Sequence, residues 1–139
     1  MKLLVLVLVS MVGLGCAAAP ATVEVGGEQF KVKIADTPNA RQLGLMYVKE
    51  LPTDEGMLFI FKDEKARSFW MKNTLIALDI LYFSADRKLV SAQLNAQPCR
   101  ADPCRSYPST GPAKYVLELA AGVGSKLELK PGDEMVINR

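Results

Sequence analysis

Thr22 to Ala35 reads TVEVGGEQFKVKIA. Val23 and Val25 alternate with polar residues, and then Phe30, Val32 and Ile34 do the same. A strand points every second side chain to one face, so each run carries one apolar face and one wet face. Gly26-Gly27 between them offers the backbone freedom of a tight hairpin turn. A hairpin here sets a β-rich class for the domain, and the pattern continues toward the C-terminus.

Thr37 suits a helix cap and Pro38 a first helical turn, so one short helix is expected within Asn39 to Val48, ending before Pro52. Met57 to Phe61, MLFIF, reads as a core strand, Lys62 to Arg67, KDEKAR, as a charged and solvated connection, and Ser68 to Lys72, SFWMK, as another strand. Leu78–Phe83 and Lys88–Leu94 form a second hairpin around Ser84 to Arg87. Gln97 to Lys114 holds Pro98, Pro103, Pro108 and Pro112 and is expected to be an irregular loop. Tyr115 to Leu119, the short alternating run Lys126 to Lys130, and Glu134 to Ile137 supply the remaining strand signals. Many short strands with one short helix argue for a compact β-sandwich or barrel over residues 22–139.

On the N-terminal side, Lys2 precedes the apolar run LLVLVLVSMVGL, Leu3 to Leu14. The run falls short of the roughly 20 residues a membrane span needs. A charged start, a short apolar core and small residues behind it describe a cleavable export signal over residues 1–21. Two cleavage chemistries fit: lipidation at Cys16 after Gly15, or ordinary cleavage after Ala19-Pro20-Ala21. The expected location is extracytoplasmic, either periplasmic or lipid-anchored to the envelope through Cys16.

The chain has 139 residues, with 17 Lys and Arg against 15 Asp and Glu. Its basic residues form no single stripe, so no nucleic-acid partner is expected. Membrane attachment is expected only through a lipid on Cys16. The chain has no histidine, which excludes a Ser-His-Asp triad, a Cys-His pair and histidine metal clusters. No cofactor or metal is expected. Beyond Cys16, Cys99 and Cys104 form an even pair in an oxidising compartment, and a disulfide there would close a small loop worth about 2 kcal/mol.

Several segments occur in a recognisable order: RQLGLM at Arg41–Met46, GMLFIF at Gly56–Phe61, FWMKNT at Phe69–Thr74, LDI at Leu78–Ile80, YVLEL at Tyr115–Leu119 and Gly132-Asp133. FWMKNT is the specific piece. The chain thereby resembles the family called domain of unknown function 192, although Ala77 stands where members often carry proline. The resemblance implies a sandwich or barrel related to jelly rolls, and it implies no activity.

Trp70, Lys72 and Asn73 are the foremost site candidates, because an indole face stacks on flat surfaces while Lys and Asn add hydrogen bonds. The plainer reading makes Trp70 a core anchor. Asp79, inside an apolar strand, needs a partner, for which Arg41 and Lys72 are available. Three readings follow: a non-catalytic envelope module binding carbohydrate or peptide through Trp70, Lys72, Asn73, Asp79 and Arg41; a hydrolase or lyase using Asp79 and Lys72; and a structural, partner-binding lipoprotein. An exposed Trp70 in a cleft favours the first, Lys72 buried against Asp79 the second, and a buried Trp70 the third.

Overall fold

The computed structural model describes residues 19–139. Cys16 and the expected export signal, apart from Ala19 to Ala21, lie outside the described residues.

Seven strands make one curled sheet. They are β1 Thr22–Val25, β2 Glu28–Ala35, β3 Glu55–Trp70, β4 Leu78–Phe83, β5 Leu89–Ala96, β6 Ser106–Ala120 and β7 Met135–Asn138, in the spatial order β5-β4-β6-β3-β2-β1-β7. The β1–β2 hairpin turns at Gly26-Gly27. Only β2 and β3 run parallel, which demands a crossover connection. That connection carries helix α1, Pro38–Leu43, capped by Thr37 Oγ1, which accepts from the Ala40 N–H at 3.1 Å. The helix stops at Gly44, whose φ of 48° suits glycine and whose added Cβ would meet Phe59 Cζ at 3.2 Å.

The sheet curls until its two edge regions meet, where Lys88 bridges Glu134. Leu89 N–H donates to the Asp133 carbonyl at 2.8 Å, and Met135 N–H to the Arg87 carbonyl at 2.9 Å. The result is a half-closed barrel. Its inner core holds Val23, Phe30, Leu58, Leu81, Phe83, Leu117, Leu119 and Met135. A second core lies on the opposite face, with Phe59, Met71, Leu78, Ile80, Tyr82 and Val116, covered by Leu45, Val48, Leu51 and Ile76 from the connections. Strand β4 is therefore buried along its whole length.

Three expectations need correction. The charged run Lys62–Arg67 does not interrupt the chain, because β3 continues unbroken to Trp70. Its register shifts between Ile60 and Lys65 and again between Ala66 and Ser68, and those irregularities absorb the charged residues while β6 keeps pairing. Strand β6 likewise begins at Ser106, so the loop ends at Arg105. Pro108 and Pro112 stand opposite Ser68 and Ala66, flanking one of the shifts, where proline is tolerated within a sheet. Finally, the run Lys126 to Lys130 forms no strand: a second short helix, α2 Val123–Lys126, ends at its first residue and turns follow, so the described residues hold two short helices rather than one.

Candidate functional site

Trp70 ends β3 with 51% of its surface exposed. Lys72 and Asn73 sit in the turn that follows. The expected alternation of Trp70 and Lys72 on one strand face is therefore replaced by a turn that curls the lysine back. Its Nζ lies 5.7 Å from the indole centroid, within reach of a cation–π contact. The same Nζ donates to both carboxylate oxygens of Asp102 at 3.1 Å. Asp102 belongs to the loop pinned by Cys99 and Cys104, whose sulfurs stand 2.09 Å apart, at disulfide distance. Cys99, Asp102 and Cys104 cluster closely enough to hold a metal, yet sulfurs bonded to each other offer no thiolate ligand.

Across from Trp70 stands the chain just after α1. Tyr47 N–H donates to the Asn73 carbonyl at 2.8 Å. Both residues take positive φ, 65° for Tyr47 and 53° for Asn73, a conformation costly for an aromatic side chain. Between these two segments runs an open groove of about 430 Å³, lined by Asn39, Gln42, Leu43, Met46, Tyr47, Trp70, Lys72 and Asn73.

The other two expected site residues serve elsewhere. Asp79 is fully buried, and its carboxylate is occupied by backbone donors. Oδ1 accepts from the Asn95 N–H at 2.7 Å, while Oδ2 accepts from Gly122 N–H at 2.9 Å and Gly124 N–H at 2.7 Å. It pairs with neither Arg41 nor Lys72; amide dipoles take the place of a cation, and the side chain braces β4 against β5 and the entry to α2. Arg41 Nη1 donates to the carbonyls of Asp36 at 2.7 Å and Ile60 at 2.9 Å, and its guanidinium lies 5.1 Å from the Phe61 ring centroid. Arg41 thus fastens α1 to β3.

Sequence reasoning missed two charged positions. Arg67, in the run read as solvated, is buried: its Nε donates to the Ala113 carbonyl at 3.0 Å and its Nη2 pairs with Asp63 at 2.8 Å. The Arg67 hydrogen bond, followed by that of Lys65, holds the Asp63 carboxyl down at about 2. The second is Glu118 in β6, only 4% exposed, with Met57 and Ile80 as its strand neighbours. Burial alone pushes its carboxyl up to about 8. Glu118 lines a cavity of about 40 Å³ together with Arg41, Phe59, Phe69, Trp70, Lys72 and Thr74. Trp70 and Lys72 line both this cavity and the outer groove, so the cavity sits directly behind it. Nearby, the Tyr82 hydroxyl donates to the Tyr107 carbonyl, and burial followed by the Glu118 charge pushes its phenol upward. One sequence signal pointed here. LDILYF in β4 has hardly any polar face, which implies that both faces of its neighbour β6 are covered too.

The chain is similar to proteins from several organisms. It is 33% identical over 107 residues to the UPF0127 protein of Thermococcus sibiricus; that stretch is 76% of this chain and 64% of the relative, so the chain spans less than two thirds of the relative's length. A crystal structure of a protein of unknown function from Novosphingobium aromaticivorans has a TM-score of 0.75 and 35% identity, covering 84% of this chain and 83% of the other. A crystal structure described as a putative transcription regulator from Sinorhizobium meliloti has a TM-score of 0.75 and 32% identity, covering 84% and 91% respectively. With residues 21–137 matching the family model described as uncharacterized ACR, COG1430, this chain belongs to the DUF192 family.

Proposed function

We propose that this is an exported partner-binding module that takes an extended polypeptide in the groove between Tyr47 and Trp70. One observation carries the reading. Among the described residues six large hydrophobic side chains are exposed, and three of them, Leu43, Tyr47 and Trp70, line this one groove. Clustered exposed apolar side chains mark interaction surfaces, whereas scattered ones need no explanation. The rim adds the amides of Asn39, Gln42 and Asn73, each able to donate to a peptide carbonyl and accept from a peptide N–H. A carbohydrate fits less well, since a sugar's crown of hydroxyls needs more convergent polar groups than these apolar walls offer. The occupied carboxylate of Asp79 weighs against a hydrolase or lyase that pairs it with Lys72. Export, by signal cleavage or through a lipid on Cys16, is part of the proposal; the apolar N-terminal run and the Cys99–Cys104 pair support it.

Selection of a random heptapeptide phage library on the wild type, with counter-selection on Trp70→Ala, tests the proposal. Trp70 is the only tryptophan, so its fluorescence reports on groove binding directly. Apolar-rich peptides that bind the wild type and lose at least tenfold in affinity on Trp70→Ala, with an unchanged melt, are expected. Peptides that fail to discriminate the two proteins, or sugar fragments that alone shift the fluorescence, overturn it.

A further inference from the structure

The barrel stays open along one side. Strand β7 ends the sheet, with β1 as its neighbour. On its other side the backbone bonds to the β4–β5 turn reach no further than Met135, whose N–H donates to the Arg87 carbonyl. Beyond that point an open cavity of about 570 Å³ separates Val136 and Ile137 from β3 and β6. The β3–β6 ladder widens the same mouth. Ile60 pairs with Tyr115, but the next pairing is Lys65 with Ala113, so Phe61 to Glu64 stand against Lys114 alone. A bulge at a barrel rim re-aims the side chains beside it.

The floor and the rim of this mouth differ in chemistry. Ile60, Tyr115 and Ile137 form an apolar floor that packs on the inner core and is only partly buried. Arg87 from the β4–β5 turn, Lys114 from β6 and Arg139 beyond β7 form the rim, and no carboxyl side chain lines the cavity. Lys114 Nζ lies 5.9 Å from the Tyr115 ring centroid, which places a cation directly beside the floor. The acids nearby leave that charge largely unmatched. Glu134 Oε1 reaches Arg87 Nη2 only at 3.9 Å, too long for a hydrogen bond, and Asp63 on the bulge is held by Lys65 and Arg67. Among the described residues Lys114 and Arg139 take part in no ion pair. In a chain with 17 basic and 15 acidic residues, three cations without a lining acid are a local concentration.

We propose that this mouth binds an anionic amphiphile: one alkyl or acyl chain laid on Ile60, Tyr115 and Ile137, with its carboxylate or phosphate head held by Arg87, Lys114 and Arg139. A bare anion leaves the apolar floor wet, and a neutral lipid leaves the three cations unused. A cavity of about 570 Å³ lies within the span of about 300–1,000 Å³ that small-molecule clefts occupy, and the mouth of a β-barrel is one of their common places. The site shares no lining residue with the Trp70 groove, so the two readings stand or fall separately.

Titration calorimetry with monomeric decanoate and decyl phosphate tests the proposal, with decanol, decyltrimethylammonium and acetate as controls. Both anionic amphiphiles are expected to bind, more weakly as salt is added, and the tighter of the two identifies the head as carboxylate or phosphate. Lys114→Gln and Arg87→Gln should each weaken binding about tenfold, with unchanged melts. In the wild type, which needs no variant to fold, the ligand should shift the methyl resonances of Ile60, Val136 and Ile137 and leave the Trp70 indole unmoved. Decanol or decyltrimethylammonium binding as well as decanoate overturns recognition of the anion, and acetate binding as well overturns the role of the floor. Failure of both anionic amphiphiles to bind, or shifts confined to Trp70 and its neighbours, overturns the site.

Discussion

Asp79 and Glu118 are both carboxyls buried on adjacent strands of one sheet, one residue out of register across the β4–β6 ladder. Their surroundings could hardly differ more. Asp79 accepts three backbone N–H bonds at 2.7–2.9 Å and binds three segments together. Glu118 faces a cavity, and its ionisation is opposed by burial. Equal burial therefore carries two meanings. A carboxylate whose lone pairs are filled by backbone donors is part of the frame, whereas one that opens on a cavity carries the cost of burial without bracing anything.

The sharpest way to break that comparison is Asp79→Ala. It removes the acceptor of three N–H donors, one buried and two part-buried, and should cost about 5 kcal/mol, read as a lowered urea midpoint; a loss below about 1 kcal/mol would mean the brace is dispensable. Next comes the pH dependence that Glu118 imposes. Its folded carboxyl ionises near pH 8 against 4.5 in the open chain, so the folded state keeps a proton that the unfolded state gives up. Stability is then full below about pH 4.5 and falls as pH rises to 8, by on the order of 4 kcal/mol. Urea melts across that window should show the decline in the wild type and a flat profile in Glu118→Gln. The smallest effect is expected at Gly124, where an added Cβ would stand 3.1 Å from Asp79 Oδ2 and 3.2 Å from Leu94 Cδ2. Because three hydrogen bonds pin Asp79, Gly124→Ala should destabilise by about 1 kcal/mol despite alanine's better helix propensity; a stabilised variant would show that the brace has slack.

Much of the frame was legible in the residues. Alternation about Gly26-Gly27 predicts the first hairpin, and Thr37-Pro38 predicts the start of α1. What failed were assumptions about polarity. Four charged residues in a row suggested a break, yet along Lys62 to Lys65 they lie on a solvated stretch of a strand that its partner still pairs across. Alternation in YVLEL presumes one wet face, on which Glu118 would fall, and here a second core covers that face. The Trp70, Lys72 and Asn73 group was visible by residue type, although a turn rather than strand alternation brings it together. The proposed Arg41–Asp79 pair failed because opposite charges in a sequence carry no distance, and the backbone amides that hold Asp79 have no letter of their own.

Strand β7 lies beside β1, with Val23 opposite Ile137 and Val25 opposite Met135. Strand β1 thus waits for β7 before its outer row of backbone groups is satisfied. That side of the sheet stays open while β2 to β6 are being made. The closing contact at Lys88 and Glu134 also forms only then. Contacts this distant in sequence delay folding, because the intervening chain must be gathered before they return any free energy. A nascent chain of this topology therefore stays threadable until β7 has been made, and a chain cut short before β7 carries an unpaired, adhesive flank along β1 rather than a slightly shorter domain.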